Sequence, residues 1–153
     1  MAAKHVGVKL PEDLIEVIKK GTVGILATFS EKGLPHTTPI QSIYPKGQES
    51  LLISIHKEHS GYHNMVWQKK VMISFLDAGN VAYSVLGRAG VVKAPSNVHP
   101  LMNVVRIDII DIKSDRSVLT KVESGVKWGY TSWEAEELSN NLLGELKDLS
   151  RVL

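Results

Sequence analysis

The sequence contains no cysteine among its 153 residues. Disulfide bonds, thiol nucleophiles and thiolate metal sites are therefore excluded, so redox chemistry would require a bound cofactor. No apolar run approaches the roughly 20 residues that a membrane-spanning helix needs, and residues 1–9 lack the apolar core of a signal peptide. Aromatic residues are also scarce, at 6% of the chain. We therefore expect a cytoplasmic protein without membrane contact.

The charge balance is only mildly basic. Lys and Arg number 18 against 16 Asp and Glu, which gives a formal net charge of +2. The basic residues are scattered rather than clustered in a run, and this disfavours nucleic acid as a partner. A small anion is the better match. The 43% hydrophobic content is ordinary for a globular protein, and we expect residues 1–153 to form a single domain.

The two ends of the chain have helical patterns. Residues 10–20 combine Pro11, the adjacent carboxylates Glu12 and Asp13 and regularly spaced apolar side chains, and Gly21 follows as a stop signal. Residues 131–150 begin with the spacing of a capping box, Thr131 to Glu134, and continue with leucines on one helical face. The sequence therefore predicts an N-terminal and a C-terminal helix, with residues 1–9 as a loose arm.

The segment between the helices, residues 22–112, has the pattern of a barrel. Six apolar or alternating stretches predict strands at residues 22–29, 35–42, 51–55, 71–76, 81–93 and 104–112. Their short connections favour antiparallel pairing. Pro39 predicts an edge or a bulge that leaves nearby backbone groups free, and Gly87 and Gly90 are expected to relieve crowding where a strand coils. The predicted fold is mainly β, an antiparallel six-stranded barrel with flanking helices.

The third predicted strand ends in an unusual set of donor groups. His56, Lys57, His59 and Ser60 provide imidazole, ammonium and hydroxyl groups, and Ser60-Gly61 could begin a helix. The first turn of such a helix leaves backbone N–H groups free at the positive end of its dipole. These groups together are typical of a phosphate site. The simpler alternative is that Lys57 is a solvated lysine at the end of a strand.

The histidines of this turn could instead bind a metal. They fall at a strand–turn–helix junction rather than at a single helical spacing, and no carboxylate pattern completes a ligand set. We therefore assign no metal ligands.

Five short segments, taken in order, carry a family resemblance. They are Ile25-Leu-Ala-Thr28, Gly33-Leu-Pro-His36, Ile53-Ser-Ile-His-Lys57 with Asn64-Met65, Val71-Met-Ile-Ser74 and Asn80-Val-Ala-Tyr-Ser-Val-Leu-Gly87. This order resembles the FMN-binding split-barrel family, the pyridoxamine 5'-phosphate oxidase-like proteins, over residues 11–112. In size the chain is similar to the compact bacterial FMN-binding proteins. The resemblance implies a split barrel, FMN as cofactor, and a homodimer with FMN in a groove at the subunit interface.

The resemblance also implies positions for the cofactor. The phosphate would lie near His56, Lys57, His59, Ser60 and Gly61. The flavin ring would lie near a second set of residues: Pro39, Ile40, Gln41 and Ser42. Trp128 has two interpretations, packing of the last helix onto the barrel or closure over a flavin bound mainly by the partner subunit.

The expected activity is that of an FMN-dependent oxidoreductase or electron carrier acting on a small redox substrate, with no catalytic residue assigned. Family members commonly carry Lys or Arg shortly before the helical asparagine, where this chain has Ser60 and Gly61 before Asn64. Phosphate charge must then be met by Lys57, a histidine or a residue elsewhere. The chain also ends without the Arg-Leu-x-Pro-like sequence of the vitamin B6 oxidases, so that reaction is not expected. Haem with a histidine ligand, a deazaflavin, or a flavin-free scaffold remain alternatives.

Overall fold

The computed structural model describes residues 4–152. Within that range the chain forms eight strands and three helices. In chain order they are β1 Lys4–Gly7, α1 Glu12–Lys20, β2 Gly24–Phe29, β3 Pro35–Ile40, β4 Ile43–Lys46, β5 Ser50–His56, α2 Ser60–Trp67, β6 Lys70–Asp77, β7 Val81–Lys93, β8 Met102–Ser114 and α3 Trp133–Leu149. No helix in this part of the chain has the length and apolar character needed to cross a membrane.

The strands form one curled antiparallel sheet in the order β3-β2-β6-β7-β8-β5-β4, and β1 pairs with β8. β3 and β4 lie at opposite ends of this order, yet only Gln41 and Ser42 separate them in the chain. The Ser42 carbonyl accepts a hydrogen bond from the Ser54 N–H at 3.0 Å. This short connection draws the two ends of the sheet together. The predicted fold class, a mainly β split barrel with flanking helices, is confirmed.

Two of the eight strands were not predicted. β1 lies in the segment expected to be a loose arm, of which residues 1–3 fall outside the described range. β4 lies in the short connection expected between the second and third predicted strands. Pro45 lacks an N–H, but β4 pairs only with β5, and a proline is tolerated in a strand at the edge of a sheet. Turn-forming residues therefore concealed an edge strand.

The predicted terminal helices are present with slightly different ends. Pro11 is the N-cap of α1 rather than part of its first turn, and Gly21 ends the helix with a left-handed φ of 99°. α3 is capped by Ser132, whose hydroxyl accepts a hydrogen bond from the Ala135 N–H at 3.1 Å. The predicted capping residue, Thr131, lies one position too early.

β5 is buried on both faces, which explains its unbroken apolar sequence. Leu51, Ile53 and Ile55 belong to the main core inside the barrel. Leu52 points the other way and packs with Val104 and with Leu146 of α3. The strand that leads into the predicted phosphate site is thus fixed from both sides.

A buried carboxylate docks α3 onto the segment after β7. Glu145 is 9% exposed and accepts hydrogen bonds from the Ser96 hydroxyl at 2.5 Å and the Asn97 N–H at 2.7 Å. Lys93 supplies the nearby positive charge, with its Nζ 3.5 Å from the carboxylate. Because a buried charge is costly unless it is paired and hydrogen-bonded, these three contacts specify where the helix lies.

A second polar cluster joins α1 to β7 and to the segment after β8. The Tyr83 hydroxyl donates to the Asp13 carboxylate at 3.1 Å. Arg116 Nη2 donates to Asp13 at 2.6 Å and to the Tyr83 hydroxyl at 2.7 Å. Burial, together with the hydrogen bond and negative charge of Asp13, raises the pKa of Tyr83 above its usual value, and Arg116 opposes this shift.

The two glycines of β7 should respond differently to substitution. A Cβ on Gly87 would collide with Ile107 and lie 2.9 Å from the Asp108 carbonyl oxygen, whereas a Cβ on Gly90 would meet nothing within 4 Å. Gly87→Ala should lower the free energy of unfolding by about 1–3 kcal/mol, and Gly90→Ala should not lower it. Urea denaturation of both variants measures the difference. Equal losses of stability in the two variants would contradict this packing.

The open space around Gly90 also means that this glycine does not relieve crowding, so that expectation is wrong.

Tyr83 should also leave a signature at high pH. Because the pKa of Tyr83 is higher in the folded chain than in the unfolded chain, the unfolded chain loses the hydroxyl proton at a lower pH. The stabilisation is therefore complete below the ordinary tyrosine pKa of about 10 and is lost as the pH rises through the folded value. Absorbance titration at 295 nm should show a late ionisation that disappears in Tyr83→Phe. A variant titration curve that retains the late step would assign the shift to another tyrosine.

Candidate functional site

The turn between β5 and α2 satisfies most of its backbone donors internally. The Lys57 N–H donates to the Leu101 carbonyl at 2.8 Å, and the Glu58 N–H donates to His56 Nδ1 at 3.1 Å. The His59 N–H donates to the His56 carbonyl at 3.0 Å. Within the described residues, the Ser60 N–H is left without an intramolecular partner. The expectation of several free N–H groups is therefore wrong, and one remains.

His59, rather than Ser60, caps α2. Its Nδ1 accepts a hydrogen bond from the Gly61 N–H at 2.9 Å, so this nitrogen carries no proton. Nε2 then carries the proton and lies 3.4 Å from the Thr38 hydroxyl, at the distance of a long hydrogen bond. Through this contact the start of α2 is held against β3.

Gly61 is required by the cap itself. A Cβ at this position would lie 3.1 Å from His59 Nδ1 and 3.6 Å from Leu26 Cδ2. Such a contact is tighter than a packed core readily accepts, so a larger residue would push the imidazole away. The glycine therefore allows the backbone to approach the imidazole closely.

Asn64 anchors the other side of α2. Its Nδ2 donates to the Thr28 hydroxyl of β2 at 3.1 Å, and both residues are buried. Thr28 and Thr38 were not predicted as contributors to the site. In the sequence each is only a polar residue within a predicted strand. Asn64 lies 36 residues from Thr28, and His59 lies 21 residues from Thr38.

Lys57 and Ser60 are exposed side chains of the turn that can donate hydrogen bonds. No ion pair of Lys57 occurs within the part of the chain described, and Ser60 presents both its hydroxyl and its N–H. The one carboxylate in the turn, Glu58, is exposed as well. An ammonium, a hydroxyl and an N–H within four residues, at the positive end of a helix, can hold an anion.

The second predicted segment lies at the end of β3. Pro39 and Ile40 close this strand, which is at the end of the sheet order, as Pro39 predicts. Pro39 is exposed, whereas Ile40 is 7% exposed and belongs to the core. The carbonyls of Gln41 and Ser42 already accept hydrogen bonds from Ile43 and Ser54. Each of these two carbonyls thus already accepts one hydrogen bond within the protein, and the exposed Gln41 side chain is available to a ligand.

The structure places Trp128 in a different part of the molecule. It lines a pocket between α1 and α3, and its ring packs edge-on against Tyr130 with the ring centroids 5.2 Å apart. The residues that line this pocket include none from the β5–α2 turn. Within one chain, Trp128 therefore lies beside α1 and α3 rather than at the β5–α2 turn. The described residues also contain no group of three or more His, Asp or Glu side chains placed to hold a metal.

Several solved structures share this fold. A protein from Lactobacillus delbrueckii that is provisionally named a pyridoxamine 5'-phosphate oxidase is 23% identical, with a TM-score of 0.63 over 71% of this chain and 98% of that one. An F420 reductase is 17% identical, with a TM-score of 0.58 over 67% and 98%. A heme binding protein from Mycobacterium smegmatis is 12% identical, with a TM-score of 0.51 over 64% and 50%. At these identities the likeness establishes the fold alone.

Sequence comparison is more specific for the family. No curated protein matches the chain. The family model for pyridoxamine 5'-phosphate oxidase matches residues 10–121, which run from the start of α1 past the end of β8. The match includes the β5–α2 turn and the end of β3, and it leaves out α3. The chain belongs to the pyridoxamine 5'-phosphate oxidase family.

Proposed function

We propose that this protein is an FMN-binding flavoprotein that acts as an oxidoreductase or electron carrier. The observation that carries the proposal is the pairing of Lys57 and Ser60, both exposed, at the start of a helix that His59 holds against β3. The turn proposed to hold the phosphate thereby lies beside β3. FMN needs both, since its phosphate must be anchored while its ring lies along an apolar wall.

The groups at the turn fit the phosphate of FMN. The Ser60 N–H and hydroxyl can each donate to a phosphate oxygen, and Lys57 supplies the charge. His59 is less suited, because Nδ1 is occupied by the Gly61 N–H and Nε2 is directed at Thr38. His56 uses Nδ1 to accept from Glu58, which leaves its Nε2 as a further donor. The phosphate contact thus depends most on Lys57 and Ser60.

The end of β3 supplies the surface for the ring. Pro39 offers an exposed apolar face, and the Gln41 amide can donate or accept at the ring edge, while Ile40 supports both from the core. Bound FMN would supply hydride or electron transfer, and the protein would orient it and tune its polarity. Ser42 completes the segment by fixing the backbone through Ser54.

A homodimer would complete the groove at the subunit interface. The surface near the site supports an interface. Trp67 at the end of α2 is 60% exposed, and Phe29 and Leu34 of the β2–β3 hairpin are 49% and 58% exposed. Phe29 and Trp67 line the same shallow pocket. Neighbouring large apolar side chains that face solvent are typical of a contact surface.

The first test is an absorption spectrum of the purified protein, before and after addition of FMN and passage through a sizing column. We expect flavin absorption to co-elute with a dimer. A Soret band would support haem, and the near-ultraviolet band of a deazaflavin would support that cofactor. A protein that remains colourless after FMN addition would reject the proposal.

The phosphate assignment predicts a matched pair of double variants. Lys57→Ala with Ser60→Ala removes the charge and the hydroxyl, and should weaken FMN binding by roughly tenfold or more, given about 1.5–3 kcal/mol for a hydrogen bond to a charged group. Glu31→Ala with Lys32→Ala changes one acidic and one basic side chain in the β2–β3 turn and should leave binding unchanged. Quenching of FMN fluorescence measures both affinities. Unchanged affinity in the first variant would remove the phosphate from this turn.

A further inference from the structure

We propose that the pocket between α1 and α3 binds a planar aromatic anion, at a site separate from the proposed flavin site. The pocket has a volume of about 600 Å³ and is lined by the end of α1, the start of β4, the segment before α3 and α3 itself. That volume suits a ligand the size of a nucleotide. The inference does not depend on FMN binding elsewhere.

Aromatic rings form one wall of the pocket. Trp128 and Tyr130 meet edge to face, with an interplanar angle of 87°, and are 38% and 37% exposed. Tyr44 of β4 is half-buried beside them. The Tyr130 hydroxyl donates to the Ser139 hydroxyl at 3.4 Å, which ties this wall to α3. Ring faces held in this way can stack on a planar ligand.

Positive charge surrounds the opening. Lys19, Lys20 and Lys147 line the pocket and are exposed, and its lining contains no carboxylate. None of the three has an ion pair among the residues that the structure describes. Lysines are common in the last turn of a helix, where they offset the helix dipole. Their convergence from two helices on one aromatic pocket is what favours an anion.

Gly144 leaves room for a ligand at the helix backbone. It lies inside α3, where glycine is unfavourable compared with alanine. A Cβ there would meet nothing within 4 Å, so no neighbouring protein atom requires the glycine. The space that it leaves open belongs to this pocket and to the adjoining one on the other side of the helix. A ligand that approaches the helix backbone accounts for the absence of a side chain.

The test uses Trp128 as its own reporter. The chain has three tryptophans, and Trp67 and Trp133 are 60% and 70% exposed, so both can be changed to Phe. In this background we expect adenosine 5'-monophosphate or benzoate to quench Trp128 fluorescence with saturation. Adenosine lacks the negative charge and inorganic phosphate lacks the aromatic ring, so each should bind at least fivefold more weakly. Absence of saturable quenching by both aromatic anions would overturn the proposal.

Three variants locate the binding. Lys147→Ala should weaken the aromatic anion severalfold, whereas the matched control Lys32→Ala in the β2–β3 turn should not. Gly144→Leu should abolish binding while α3 is retained, since leucine is a good helix former and nothing lies within 4 Å of the Cβ position. Loss of fold would appear as a lower midpoint and as loss of the circular dichroism of the native protein. Retained binding in folded Gly144→Leu would contradict the assignment.

The flavin and aromatic-anion sites are distinguished by the double variant at the β5–α2 turn. Binding of adenosine 5'-monophosphate should keep its affinity in the Lys57→Ala, Ser60→Ala double variant. Loss of this binding in the double variant would mean that the pocket is part of the flavin site, and the proposal of a separate site would fail. If FMN does not bind at all, quenching of Trp128 by the aromatic anion still supports this inference alone.

Discussion

The two-residue connection between β3 and β4 is the constraint on which the rest of the molecule depends. It joins the opposite ends of one sheet, so the sheet must curl, and β2 must approach β4 across the interior. Gly24 makes that approach possible, because a Cβ there would lie 2.9 Å from Ile43 Cδ1 and 2.8 Å from Ile73 Cγ2. Closure of the sheet in turn sets β3 beside α2. Packing in the core therefore determines the geometry of the candidate site.

At the candidate site, most polar groups of the β5–α2 turn form hydrogen bonds within the protein. An imidazole, rather than a serine, caps the helix, and its second nitrogen reaches across to β3. What remains in the turn for a ligand is a lysine, a serine, one backbone N–H and the Nε2 of His56. The structure therefore separates groups that position the turn from groups that can bind. Only the latter should determine affinity.

The sequence was sufficient for the fold class, the helix positions and the location of the polar turn, since these follow from local periodicity and from the order of short segments. It was insufficient for contacts made across the fold. Histidine is not among the residues favoured as an N-cap, so His59 could not be preferred over Ser60 before Thr38 and Gly61 were seen beside it. Gly87 and Gly90 have similar sequence surroundings, and only their neighbours in space distinguish them. β4 was missed because its residues are typical of turns. Only the topology shows that it is an edge strand, where such residues are tolerated.

The edge position of β3 and β4 has a further consequence, for behaviour in concentrated solution. Of the six prolines in the chain, Pro35 and Pro39 lie in β3 and Pro45 lies in β4. Each proline removes an N–H donor from a strand that has a neighbour on one side only. A strand from another molecule would find an incomplete ladder at both ends of the sheet. These three prolines, of which Pro45 helped to conceal β4 in the sequence, thus protect the folded chain against edge-to-edge aggregation.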